Sequence, residues 1–411
     1  MKTIATLGDH ISTQKGYAFK SVWYTESGHP IVKVSDFTSD SVDPSNLICV
    51  PNEIALKHGR YSLSTGDVVI QTVGSWPSNP ASVVGKTVRI PKKIGGALLN
   101  QNAVKVESDQ SLDKGFLYYL LRSDEFKAYI VGTAQGAASQ ASITLDSIRA
   151  FKFTKPDLES QQKIAKTLAA YDNLIENNNR RIAILEEMAQ SLYREWFVKF
   201  RFPGHEQAKF IDSPLGKIPE GWDVKRLGDL VDFKRESVKK GILSEPTPYM
   251  GLEHFPRKSL SLSEWDEVSE IGSSKLVFKR GDILFGKIRP YFHKVGVAQT
   301  DGICSSDTFV LEPINKKCHS LVAMVTFSDD FVAHSVQTSQ GTKMPRANWG
   351  VLADYAVTMP EGRLLVKFNM AVDSAIDQLK ILSAKNRNLK KQRNLLLPKL
   401  ISGQINLSHS S

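Results

Sequence analysis

Two stretches of the chain carry apolar residues at alternating steps of four and three. The first runs through Ile164, Leu168, Tyr171, Ile175, Asn178, Ile182, Leu185, Ala189, Leu192 and Trp196; the second runs through Phe368, Val372, Ala375, Leu379, Leu382, Asn386, Leu389, Arg393, Leu396 and Leu400. Such a heptad seam predicts a long helix that packs along another, so residues 156–200 and 361–411 are read as two spacer helices, the second with a tail. Elsewhere the period falls to two. Short alternating runs such as "GDVVIQTVG" and "VGVAQT", separated by Gly, Pro, Asn and Asp, predict strands. "KGFLYYLLRSDEFKAYIVG" predicts one helix among the earlier strands.

The seams have equal length, and each holds one asparagine near its midpoint. If the helices pair antiparallel, Asn178 and Asn386 meet, and a buried asparagine pair penalises every slipped register because polar groups are then left unsatisfied in an apolar seam. The alternative is a bent helix with both asparagines exposed. Asn177 and Asn179 project off the seam and are expected to be solvated. At about 1.5 Å per residue such a rod is on the order of 50 Å long.

An internal repeat sets the organisation. "LRSDEFKAYIVGTAQGAASQ" aligns with "TFSDDFVAHSVQTSQGTKMP" 205 positions later, sharing Ser-Asp-acid-Phe and Thr-x-Gln-Gly. "PIVKVSDF" resembles "PYMGLEHF", "TGDVVI" resembles "RGDILF", and "LGD" recurs at Leu7 and Leu227. The expected layout is a first globular domain over 1–155, the central helix over 156–200, a Pro- and Gly-containing linker over 201–222, a second domain over 223–360 and the terminal helix over 361–411. The fold class is α+β: two similar mixed domains separated by an antiparallel two-helix coiled coil with approximate two-fold symmetry.

The net charge of +10 and pI of about 9.2 admit a nucleic-acid partner. Residues 361–411 hold nine lysines and arginines against three acidic residues, so the excess is concentrated in the last helix. No apolar run is long enough to span a membrane and no signal segment opens the chain, which leads to the expectation of a cytoplasmic protein with no membrane partner. Cys49, Cys304 and Cys318 lack CxxC spacing and are read as reduced packing residues, not as metal ligands. Catalytic motifs are absent. "GKT" at 85–87 lacks the earlier glycine of a phosphate loop, "SNPA" at 78–81 lacks the rest of an amino-methyltransferase motif, and no GxGxxG, HExxH or GxSxG occurs.

The repeated units, the openings "TLGDHISTQKGYAFKS" and "IPEGWDVKRLGDLVDFKRE", the helix "ESQQKIAKTLAAYDNLIENNNRRIAILEEMAQSLYREWF" and the closing "NRNLKKQRNLLLPKLISGQI" together resemble the specificity (S) subunits of type I DNA restriction-modification systems. The resemblance implies a non-catalytic subunit whose two target-recognition domains read the halves of a split, asymmetric sequence in double-stranded DNA. It also implies docking of two modification (methyltransferase) subunits and of restriction (translocase/nuclease) subunits. No cofactor is expected on this chain; S-adenosylmethionine and ATP/Mg are expected on the partner subunits. The commonest layout of that family begins with more chain before the first domain, so here the partner of the central helix must come from the C-terminus. The alternative reading is a helical protein-assembly scaffold without sequence-specific DNA reading.

Candidate DNA-binding residues follow from loop position and donor chemistry, because Arg, Lys, Asn and Gln contact base edges or phosphates. In the first domain these are Lys15, Tyr17, Lys20, Lys33, Ser75, Trp76, Asn79, Gln135, Ser139 and Gln140. In the second, "KRESVKK" and "GKIRPYFHKVG" supply Lys234, Arg235, Lys239, Lys287, Arg289, Tyr291, His293 and Lys294, and "SQGTKMPRANW" adds Gln340, Lys343, Arg346 and Asn348. Tyr193, Trp196 and Phe197 are expected either to pack the domain junction or to anchor a partner subunit.

Overall fold

The computed structural model describes residues 3–38, 40–77, 83–136, 140–405 and 407. The chain forms two compact units, residues 1–173 with 390–411 and residues 174–389.

In the first unit Thr3–Thr6 pairs antiparallel with Lys152–Lys155. A 3₁₀ turn over Leu7–Asp9 then leads into a four-stranded antiparallel sheet in the order Ile11–Lys15, Ala103–Ser108, Val68–Gln71, Thr87–Arg89. Its central strand is buried on both faces, which is why "VVIQ" reads as a continuous apolar run. Val68 and Ile70 pack with Phe116, Leu117, Phe126 and Ile130 of two helices, Lys114–Leu120 and Asp124–Gly132. Val69 faces the other way, toward Val32, Val88 and Leu99. A smaller sheet, Cys49–Val50, His29–Val32 and Leu98–Leu99, covers that side.

The second unit repeats this plan. Asp223–Arg226 pairs with Ala356–Met359, a 3₁₀ turn covers Leu227–Asp229, and the main sheet runs Val231–Lys234, Thr308–Pro313, Ile283–Gly286, Val295–Ala298. Again Ile283 and Phe285 face helices His319–Phe327 and Asp329–Gln337, while Leu284 faces a second core. The units diverge on that second side. The later unit carries a five-stranded sheet built on the long pair Gly241–Met250 and Asp266–Ile271, where the earlier one has the short helix Asn52–Lys57.

The single helix expected over 114–132 is two. The Ser123 hydroxyl accepts from the Phe126 N–H at 3.2 Å, capping the second helix and turning the chain, and Ser328 does the same for Phe331 at 3.2 Å. Both phenylalanines are fully buried. The repeated Ser-Asp-acid-Phe is thus a cap followed by a core anchor.

The long helices span Leu158–Tyr193, continuing into a π turn over Arg194–Val198, and Gly362–Ile401. Inside the second unit they run antiparallel: Phe368 meets Trp196 and Phe197 at centroid distances of 6.0 and 4.7 Å, and Asn386 meets Asn178. Asn178 Nδ2 donates to Asn386 Oδ1 at 2.8 Å, and Asn386 Nδ2 donates to Asn179 Oδ1 at 2.7 Å. Asn179 is exposed, as expected, and its side chain also completes a three-asparagine chain. Inside the first unit Arg393, a seam position, is buried and pairs with Asp172 and with Asp40, and Asp172 also accepts from the Tyr119 hydroxyl at 2.6 Å. Tyr193 and Phe197 lie in the core of the second unit with Trp222. The stretch expected to be a plain linker holds a β-hairpin, Phe210–Ser213 with Gly216–Pro219, because Gly216 takes the left-handed conformation its turn needs (φ +87°). Among the described residues no helix is long and apolar enough to cross a membrane.

Candidate nucleic-acid interface

Each unit brings together two loops that are far apart in sequence. One leaves the central strand of the main sheet and the other leaves the second short helix. In the first unit Val73–Gly74 pairs with Ala141–Ser142, and Gln135 exchanges backbone hydrogen bonds with Ser142 at 2.9 and 2.8 Å. In the second, Arg289 N–H donates to the Pro345 carbonyl at 2.7 Å, Ala347 N–H to Lys287 at 2.8 Å, and Gln340 exchanges bonds with Arg346 at 3.0 and 2.9 Å. The Thr-x-Gln-Gly repeat builds this junction: Thr133 and Thr338 hydroxyls donate to helix carbonyls at 2.9 and 2.8 Å, the glutamines bridge, and Gly136 and Gly341 turn with positive φ. Its recurrence therefore has a backbone cause, whatever the side chains of Gln135 and Gln340, both exposed, go on to touch.

In the second unit this junction gathers Lys287, Arg289, Tyr291, Lys343 and Arg346. The 3₁₀ turn Pro290–Phe292 is bracketed by two non-glycine residues in the left-handed region, Arg289 (φ +48°) and His293 (φ +50°). Each such residue costs about 1–3 kcal/mol, which the surroundings must offset. They do so by clamping the turn: Lys258 N–H donates to the His293 carbonyl at 2.9 Å, His293 Nε2 bonds the Phe327 carbonyl at 2.9 Å, and the Arg257 guanidinium lies 4.2 Å over the Phe292 ring. Tyr291 projects outward, 51% exposed.

Four candidates of the second domain are committed elsewhere. Lys234 is paired with Asp282 at 3.3 Å and Glu312 at 2.9 Å. His293 is buried, and burial lowers its pKa, so it is no cation at neutral pH. Lys294, its pKa also lowered by burial, donates to the Leu252 carbonyl. Asn348 caps the helix Trp349–Leu352 by accepting from the Gly350 N–H at 2.9 Å. These side chains hold the fold, since a buried or capped polar group already has the partner that a base edge would have supplied. Arg235 stacks on Phe233 at 5.0 Å and Lys239 is exposed, both away from the loop junction in sequence.

In the first unit Asn79 and Ser139 lie outside the described residues, Ser75 is buried, Trp76 packs against the main core and Gln140 is exposed. Lys15 is exposed at the end of strand Ile11–Lys15, and Tyr17, Lys20 and Lys33 belong to a second, aromatic surface. Tyr17 stacks on His58 at 4.1 Å, next to Trp23 and Tyr61; Lys20 lies over Trp23 at 5.4 Å, Lys33 over Tyr24 at 5.8 Å and Arg60 over Tyr61 at 4.6 Å. Gly16 makes this possible, because a Cβ there would stand 1.9 Å from the Asn100 carbonyl oxygen. Sequence reasoning missed His58, Arg60 and Tyr61; the run "KHGRY" at 57–61 interleaves bases with aromatics and was the available signal. Among the described residues no group of His, Cys, Asp or Glu is placed to hold a metal ion.

Two units of one plan, with basic and aromatic side chains gathered on paired loops in the second and on a separate aromatic surface in the first, define a protein with two candidate recognition units. Residues 3–187 match the family described as the type I restriction modification DNA specificity domain. The chain is 25% identical over 305 residues to the type I restriction enzyme MjaIX specificity subunit of Methanocaldococcus jannaschii, covering 71% of this chain and 68% of that one. It is 26% identical over 329 residues to the EcoDI specificity subunit of Escherichia coli, covering 74% and 72%. The fold resembles the crystal structure of a type I restriction-modification S subunit from M. genitalium, with a TM-score of 0.56 at 15% identity over 98% of this chain and 96% of the other. The chain is therefore similar to the specificity subunits of type I restriction enzymes, with the family match lying over residues 3–187.

Proposed function

We propose that each unit reads one half of a split, asymmetric sequence in double-stranded DNA and that the paired long helices set the gap between the halves. The observation that carries this reading is the repeated loop junction, formed at the same topological place in both units from segments that share little sequence beyond the backbone-building residues. A protein that recognised one symmetric site would have no use for two divergent loop sets on one scaffold, whereas a split target requires them. On this reading two methyltransferase subunits bring S-adenosylmethionine and methylate adenine, restriction subunits bring ATP and Mg, and this chain supplies neither cofactor nor catalytic group.

The test is to co-express the chain with the methylating subunits of its system and map methylated adenines over a genome. A two-part motif with a fixed gap is the expected result. Methylation without a shared motif, or a stable complex that methylates nothing, would favour an assembly scaffold.

A further inference from the structure

We infer that Arg289 reads a guanine in the half-site of the second unit and that the Tyr291 ring, held rigidly beside it, supplies affinity without base identity. This rests on the DNA-reading role proposed above. Among the described residues the Arg289 Nε is enclosed without a hydrogen-bond partner, and the terminal Nη2 reaches the Lys343 carbonyl only at 3.5 Å, so the two terminal amino groups are the donors left for a ligand. The neighbouring Arg346 already faces Asp307 at 3.5 Å. A side chain with a fork of donors, kept on a strained backbone and left short of acceptors, is suited to a ligand that brings two acceptors in one plane. The O6 and N7 atoms of guanine do so in the major groove. Phosphate is the weaker fit, because exposed Lys343 lies beside the position and lysine serves phosphate equally well.

The clamp supplies the remaining part. The turn is tied through Pro345, Lys258 and Phe327, three separate segments, so the position of Tyr291 is set before any ligand arrives. An exposed aromatic ring on a rigid turn loses little freedom on binding and contacts sugar and base edges of any sequence.

The experiment uses the full chain in its methylating complex. Arg289→Gly is the informative variant, because glycine relieves the left-handed strain while removing the guanidinium; the chain is expected to fold and assemble. The methylated motif is expected to lose discrimination at one guanine of one half-site by ten-fold or more, with the other half-site and the gap intact. Arg289→Lys is expected to relax the same position. Tyr291→Ala is expected to slow methylation at all sites alike, and Tyr291→Phe to have little effect. A motif unchanged in Arg289→Gly, or loss of both half-sites together, would overturn the assignment. Absence of any split motif with the unaltered chain would instead overturn the DNA-reading role itself.

Discussion

Glu186 shows what a single buried charge does in this fold. Its carboxylate is nearly enclosed and accepts from the Ser259 hydroxyl and the Leu260 N–H, both at 2.7 Å, tying the first long helix to the second recognition unit. Burial raises its pKa above the ordinary 4.5, against those hydrogen bonds, which lower it. An acid with a raised folded-state pKa binds its proton more tightly in the fold. The stability it lends is therefore complete below its unfolded value and is lost as pH rises through the folded one. Glu186→Gln keeps an acceptor without the charge, so its melting temperature is expected to gain on the parent between pH 4.5 and neutrality and to converge with it in acid. A constant difference across that range would show that the group is not titrating. Gly16 makes the opposite point, that an absent atom is required. Gly16→Ala is expected to cost about 1–3 kcal/mol in urea unfolding, because the new methyl group meets a backbone oxygen with no room to yield.

Among elements, the long helices were the most legible part of the sequence, since a heptad period sustained over many turns has few other meanings. The pairing Asn178 to Asn386 followed from counting to the seam midpoints; the third member, Asn179, did not, because an off-seam asparagine is drawn in only by the reach of its side chain. Asn178→Leu with Asn386→Leu is expected to raise the melting temperature while loosening the register, and Asn386→Leu alone to destabilise by about 1–3 kcal/mol, since it leaves Asn178 buried without its partner. Thermal melts of the two variants check both changes in stability. The break at 121–123 was illegible because the apolar run "FLYYLL" crosses it, and one serine hydroxyl decides where a new helix starts. Lys234, His293, Lys294 and Asn348 could not be separated from solvated loop residues in the sequence for a similar reason. The carboxylate that claims Lys234 lies 48 positions away, and the carbonyl that claims His293 lies 34 positions away, so only folding brings them together.

For the molecule as a whole, the division of labour proposed between heads and helices predicts how specificity should change with length. Inserting one heptad at matching places in both long helices is expected to lengthen the gap in the methylated motif and leave both half-sequences as they were; altered half-sequences would sink that division. The repeat that supports it was legible because the capping, bridging and turning residues recur in order. The side chains proposed to contact bases were not, because the repeated junction fixes their backbone while leaving their identities free to differ between the units.

The first unit takes its last helical segment from the other end of the chain: Leu396, Leu397, Leu400 and Ile401 join its core, and Arg393 meets Asp172 and Asp40 there. On a ribosome this fixes an order of events. The earlier segment must wait, with part of its core open, until residues 390–401 are translated, a delay of some tens of seconds at about 5–20 residues per second. Loss of residues 390–401 would thus damage the unit built on the earlier residues and spare the one built on residues 174–389.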